Sequence, residues 1–179
     1  MKEHVRVMLT EHEVNARIEH VAGQINADYG DQPLHLICIL KGGAMFMCEL
    51  AKRLKMPVSF DFMSVSSYGG GTTSSGVVRI VKDLDESLEG KRVLIVEDII
   101  DTGRTLAYLI EVLKKRNPQD IRLCTLLDKP ERRVKKQVEV NYTCFTIPDE
   151  FVVGYGLDYD QRYRNLPYIG VVEFEEDEE

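Results

Sequence analysis

The chain has 179 residues, 44% of them hydrophobic, and carries 23 Lys and Arg against 30 Asp and Glu for a net charge of −7. That length suits a single domain, 1–179, with a real core, and no apolar run approaches the roughly 18 residues of a membrane span. Six acids crowd into 173–179 (EFEEDEE), a solvated acidic tail, and the body is then nearly neutral, which disfavours a duplex-wrapping basic protein.

The opening stretch, MKEHVRVMLTEHEVNARIEH, is polar and acid-containing, unlike a signal or transit peptide. A cytoplasmic protein without membrane or nucleic-acid partners is expected. Thr10-Glu11-His12-Glu13 reads as a capping box. Behind it Val14, Ile18, Val21, Ala22 and Ile25 recur at helical spacing until Gly30. Leu34 to Leu40 predicts a strand, Lys41-Gly42-Gly43 a turn, and Ala44 to Leu54 a helix. Strands are predicted over Val58–Ser66 and Val77–Lys82. Val93 to Val96 is apolar throughout, as in a central parallel strand covered on both faces.

Leu106, Leu109, Ile110 and Leu113 give a further helix, closed by Asn117-Pro118. Strands follow near Ile121–Leu127, Tyr142–Thr146, Phe151–Val153 and Ile169–Phe174. Strand-helix alternation over the first two thirds predicts an α/β fold with a central parallel sheet and helices on both sides. Ligands bind such sheets beyond the carboxyl ends of the strands, which directs attention to Lys41-Gly42-Gly43 and to Glu97 through Thr105. Cys38, Cys48, Cys124 and Cys144 lack metal-ligand spacing, and three of them fall in apolar strand-like runs where free Cys acts as a small hydrophobe. His4, His12, His20 and His35 form no metal motif.

The stretch VLIVEDIIDTGRTL, residues 93–106, holds most of the chemistry. An apolar strand runs into Glu97 and Asp98, and buried carboxylates cost several kcal/mol each unless something pairs with them. Asp101-Thr102-Gly103-Arg104-Thr105 then turns into a helix N-terminus, where free N–H groups attract anions and Gly103 permits close approach. A plain helix cap at Thr102 or Thr105 is the competing reading. Acids at that depth suit sugar hydroxyls or hydrated magnesium, and phosphate beside hydroxyls makes a ribose 5-phosphate.

This pattern resembles the phosphoribosyl-diphosphate signature of type I phosphoribosyltransferases. A response-regulator receiver also ends a strand in paired acids, but at the start of its domain. Leu40-Lys41-Gly42-Gly43, Ser66-Ser67-Tyr68-Gly69, Leu127-Asp128-Lys129-Pro130 and the run Ile147 to Tyr159 narrow the resemblance to the hypoxanthine-guanine phosphoribosyltransferases of bacterial type, in order and spacing. That family transfers a phosphoribosyl group from phosphoribosyl diphosphate to N9 of a 6-oxopurine and releases pyrophosphate.

The resemblance implies a small hood lobe, drawn from the N-terminal and C-terminal segments, over the α/β core. It implies that Glu97, Asp98, Asp101, Thr102, Gly103, Arg104 and Thr105 bind the phosphoribosyl group, with Asp101 facing N7 of the base as general acid or base. Lys41 and Gly42, in a loop whose peptide bond can be cis, and Arg164 meet the pyrophosphate. Lys129, Phe151, Val152 and Asp158 meet the purine: Lys129 donates to O6, Phe151 stacks, and Val152 offers backbone. Glu97, Asp98 and Asp158 form an oxygen-rich site for Mg2+. Ser67 and Tyr68 belong to a loop, 64–76, that closes over the site. A homodimer or homotetramer is expected. Two relatives on the same core compete: an RNA-binding pyrimidine-operon regulator, whose motif tends to replace the third acid by an aromatic, and a transferase preferring xanthine and guanine.

Overall fold

The computed structural model describes residues 2–67, 78–134 and 138–175. In chain order the elements are β1 (Lys2–Leu9), α1 (Glu11–Tyr29), β2 (Leu34–Ile39), α2 (Ala44–Ala51), β3 (Val58–Ser67), β4 (Val78–Lys82) and β5 (Arg92–Ile100). Then come α3 (Arg104–Lys114), β6 (Asp120–Asp128), β7 (Tyr142–Thr146), β8 (Val152–Val153) and β9 (Ile169–Glu175).

The capping box forms as read: Glu13 N–H donates to Thr10 Oγ1 at 3.2 Å and Thr10 N–H to Glu13 Oε2 at 2.8 Å, an arrangement worth about 1 kcal/mol. Helix α2 stops three residues short of the predicted end. Asn26 on α1 captures the chain there, donating to Arg53 O at 3.0 Å and accepting from Lys55 N–H at 2.9 Å. Strand β5 runs four residues past the predicted end, because Glu97, Ile99 and Ile100 keep pairing with Thr125, Leu127 and Asp128 of β6. Strand β1 is unpredicted. Its alternation of Val5, Val7 and Leu9 is diluted by charged neighbours, and only its antiparallel pairing with distant β9 makes it a strand.

Six strands form the main sheet in the order β4-β3-β2-β5-β6-β7. Five are parallel, and the edge strand β4 runs antiparallel to β3, so the sheet is mixed where a wholly parallel one is predicted. Alternate residues of β5 serve opposite faces. Leu94 and Val96 pack with α1 and α2, through Ile18, Ile25, Phe46 and Leu50. Val93 and Ile95 pack with α3, through Leu106, Leu109 and Leu113. A second, three-stranded sheet, β1-β9-β8, stands apart as a hood. Cys38, Cys124 and Cys144 are buried and Cys48 exposed, all as free thiols. Among the described residues no helix is long and apolar enough to cross a membrane.

Candidate active site

The chain leaves β2 toward β3 on one side of the sheet and later leaves β5 toward β6 on the other, although β2 and β5 are neighbours. Loops after these strands therefore diverge and open a crevice at their carboxyl ends. Lys41-Gly42-Gly43 lines one side and Glu97 through Thr105 the other. The two sides touch: a Cβ on Gly42 would lie 1.7 Å from Asp98 Oδ2, and one on Gly156 would lie 2.1 Å from Gly42 O. Only glycine lets the loop lie flat between the acid and the hood. The Leu40–Lys41 peptide bond is cis.

Strand alternation sends Glu97 and Asp98 to opposite sides of β5. Asp98 lies under Gly42 and accepts from Ile99 N–H at 2.7 Å. Glu97 lines a hollow of about 230 Å³ with Asp101, Thr102, Gly103, Arg104 and Thr105, below the range usual for a whole small-molecule ligand and suited to one part of one. Burial, then the Asp98 charge, pushes Glu97 well above the usual carboxylate range. Burial also raises Asp98, against the opposing pull of Ile99 N–H and Arg164. Both acids are placed to gain from a cation or from hydroxyl donors.

Helix α3 starts at Gly103, whose φ of 76° is left-handed and which offers no side-chain cap. Thr102 Oγ1 reaches Arg104 N–H only at 3.4 Å, beyond a good hydrogen bond. The plain-cap reading therefore fails. The first residues of α3, Arg104 to Leu106, line the hollow, and a helix start favours an anion beside it. Arg104 is exposed and Thr105 half-buried.

The remaining expected residues converge from elsewhere. Asp101, partly exposed, accepts from Arg132 Nε at 2.9 Å, and Arg132 also faces Asp149 at 3.5 Å. Lys129 is buried, its ammonium donating to Glu150 O at 2.6 Å with Asp149 at 3.5 Å. Phe151 keeps 54% of its surface exposed while Tyr159 meets it edge-on at 5.6 Å, so one aromatic face stays available. Val152 is buried in β8 against Val171. Arg164 donates to Gly156 O at 2.8 Å and pairs with Asp158 Oδ1 at 2.9 Å. With Asp158 so engaged, Glu97, Asp98 and Asp158 are not a ready-made cage. Among the described residues no three His, Cys, Asp or Glu side chains are grouped to hold a metal. Tyr68 and most of the expected closing loop lie outside the described residues; Ser67 ends β3.

A family model described as the phosphoribosyl transferase domain matches residues 7–160. The chain belongs to the phosphoribosyltransferase family. It is 48% identical over 171 residues to the hypoxanthine-guanine phosphoribosyltransferase of Streptococcus thermophilus, covering 95% of this chain and 94% of that protein. Identity to the corresponding protein of Mycobacterium tuberculosis is 51% over 173 residues, covering 93% and 85%. The crystal structure of a hypoxanthine phosphoribosyltransferase from Staphylococcus aureus matches with a TM-score of 0.90 at 51% identity, over 94% of this chain and 91% of that one.

The fold is thus that of a type I phosphoribosyltransferase, a central sheet flanked by helices with a small hood. Three features of this phosphoribosyltransferase escape a reading of the sequence. Arg132 and Arg133 look like surface cations beside Lys135 and Lys136. Instead Arg132 grips Asp101, and Arg133 pairs with Asp128 and packs behind Gly103. Gly156 looks like turn punctuation, but at φ 102° it clears the way for Gly42. Gln161 carries no motif weight at all. Only the spatial neighbours of these residues disclose what they do.

Proposed function

We propose that this phosphoribosyltransferase serves purine salvage, moving the 5-phosphoribosyl group of phosphoribosyl diphosphate to N9 of hypoxanthine or guanine and releasing pyrophosphate with IMP or GMP. The observation that carries this reading is the segment 97–105. It runs from two carboxylates shifted upward by burial into an uncapped helix N-terminus, where a ribose 5-phosphate would find hydroxyl acceptors and an anion site together.

Thr102 to Thr105 hold the 5-phosphate by backbone N–H groups and hydroxyls, and Glu97 and Asp98 accept from the ribose hydroxyls. Lys41, Gly42 and Arg164 meet the pyrophosphate, with the Gly42 backbone able to approach closely because nothing projects from it. The purine lies against Phe151, with Lys129 donating to O6 and the Val152 backbone at its edge. Asp101 takes or returns the proton at N7 as N9 bonds to the ribose carbon and the pyrophosphate departs. A base that presents an amino group at C6 brings hydrogens where Lys129 needs a lone pair, so adenine is refused.

The carboxylates of Glu97, Asp98 and Asp158 are hard oxygen donors and suit Mg2+, which binds through one or two carboxylates plus substrate oxygens and water rather than a protein cage. Held there with the diphosphate, such an ion would supply positive charge to neutralise the leaving group. The enzyme works in the cytoplasm as a homodimer or homotetramer, with no nucleic-acid or membrane partner.

Pyrophosphate release on mixing the protein with magnesium, phosphoribosyl diphosphate and hypoxanthine tests this directly. One pyrophosphate per IMP is expected. No release with either hypoxanthine or guanine would contradict the assignment.

A further inference from the structure

Gln161 sits three residues before Arg164, between β8 and β9, where the chain turns sharply. Asp160, Gln161 and Tyr163 all take positive φ, at 49°, 62° and 77°, a region that non-glycine residues hold only where their surroundings impose it. The turn is pinned at its base by paired backbone hydrogen bonds between Tyr159 and Arg162, at 3.1 and 2.9 Å. Gln161 N–H also donates to Asp158 Oδ2 at 2.8 Å.

This turn delivers one amide oxygen to a definite place. Gln161 Oε1 accepts from Lys41 Nζ at 3.2 Å and from Arg164 Nη2 at 3.3 Å. Arg164 is held independently by Gly156 O and Asp158. The Lys41 ammonium has Gln161 as its one partner among the described residues. Two cations, one in the loop after β2 and one between β8 and β9, repel each other, and Gln161 Oε1 is a neutral acceptor that both share. An amide accepts from both without cancelling either charge, as a carboxylate would. Both bonds are at or beyond the long end of the normal range, so incoming oxygens of higher charge displace the amide easily.

We propose that Gln161 is a positioning residue for the diphosphate of the substrate: its amide oxygen tethers Lys41 to Arg164, so that the two cations present one anion site before the substrate arrives. The inference rests on the reading of Lys41 and Arg164 as pyrophosphate contacts. It adds that the residue between them must be neutral and must accept two hydrogen bonds.

The test compares Gln161→Glu and Gln161→Gly in the full-length enzyme. Gln161→Glu keeps the shape and adds a negative charge. Gln161→Gly removes the amide but suits the left-handed backbone, so that folding is not what is measured. Titration calorimetry with phosphoribosyl diphosphate and with pyrophosphate, each with magnesium, reads the anion site without any base. Gln161→Glu is expected to weaken both by about fivefold or more, less so at high salt. Gln161→Gly is expected to weaken both by about two- to threefold, within the range of an exposed polar tether. KM for hypoxanthine at saturating phosphoribosyl diphosphate stays at the parent value in both variants. Unchanged anion affinity in Gln161→Glu overturns the proposal, as does an equal rise in KM for both substrates, which marks a collapsed loop. A parent enzyme that binds neither anion overturns the underlying site reading and this inference with it, whereas binding by the parent that Gln161→Glu leaves untouched overturns the inference alone.

Discussion

At the end of the crevice proposed for the ribose phosphate, five consecutive residues, Asp101 to Thr105, connect the end of β5 to the start of α3. At the end proposed for the pyrophosphate and the base, the groups come from four separate stretches: Lys41, Lys129, Phe151–Val152 and Asp158–Arg164. They are held by side-chain contacts, such as Lys41 after β2 with Gln161 between β8 and β9, and Arg164 with Asp158 within that latter segment. Backbone groups fixed by secondary structure need no adjustment when a ligand arrives. Side chains held by exchangeable partners do, so under the proposed function the first end is expected to bind as a preformed cradle and the second to trade internal partners for substrate.

Substitutions at the two ends should separate accordingly. The largest effect is expected at their junction. Asp101→Asn should cut turnover by about 10²–10⁴-fold, the range for a lost general acid or base, while titration shows phosphoribosyl diphosphate binding nearly as in the parent. Unchanged turnover would remove Asp101 from the chemistry. Next, Lys129→Met should raise KM for hypoxanthine by roughly 10–100-fold, the equivalent of one charge-assisted hydrogen bond, and leave KM for phosphoribosyl diphosphate alone. A parallel rise in both constants would show that the base and phosphate ends are not separable.

Smaller effects sharpen the contrast. Gly103 is left-handed, and a Cβ there would lie 3.1 Å from Arg133 Cδ. Gly103→Ala is therefore expected to cost about 1–2 kcal/mol of stability, read as a lower urea midpoint, and to weaken phosphoribosyl diphosphate without touching the base constant. An unshifted midpoint would show that the turn tolerates a side chain. Phe151→Leu removes one exposed aromatic face and should raise only the base KM, by a few-fold, in line with about 0.5–1.5 kcal/mol for an aromatic pair. The smallest effect lies outside the site. His35 is buried against Ser59 and Asp61. Burial, then Lys91, holds its pKa below the usual 6.5, against a weaker opposing pull from Asp61 and Glu86. A depressed histidine contributes stability above pH 6.5 that is lost as pH falls through the folded-state value. Urea unfolding at pH 7.5 and pH 5 should therefore show a larger loss on acidification in the parent than in His35→Gln. Equal losses would show that His35 does not carry the linkage.

The phosphate end is the more legible in the sequence, for a physical reason. Its residues are contiguous, so Asp101 through Thr105 read directly as a turn into a helix start, although the strand before them runs four residues beyond the predicted end. The main sheet is legible too, because β2, β5 and β6 are apolar runs of the right length. What the pattern leaves out depends on long-range pairing. Strand β1 exists because β9 lies beside it, and β5 extends because β6 continues to pair with it. Arg132 and Gln161 look like surface residues because their partners, Asp101 and Lys41, lie 31 and 120 positions away, and Arg133, though it pairs with nearby Asp128, packs against Gly103 only through the fold. The carboxylates of Glu97, Asp98 and Asp158 read in the sequence as one oxygen-rich site; in the structure Asp158 pairs with Arg164, and among the described residues no three such side chains are grouped to hold a metal.

The central claim is that Lys129 and Asp101 read the 6-oxo edge of a purine while the 97–105 cradle holds the sugar phosphate. The ratio of kcat/KM for hypoxanthine to that for adenine, measured in the parent enzyme with magnesium and phosphoribosyl diphosphate, tests it most directly. A site built around a donor to O6 is expected to give a ratio on the order of 10⁴. A ratio near one would contradict the account, because the base would then be chosen by shape alone and Lys129 would have no part in the choice.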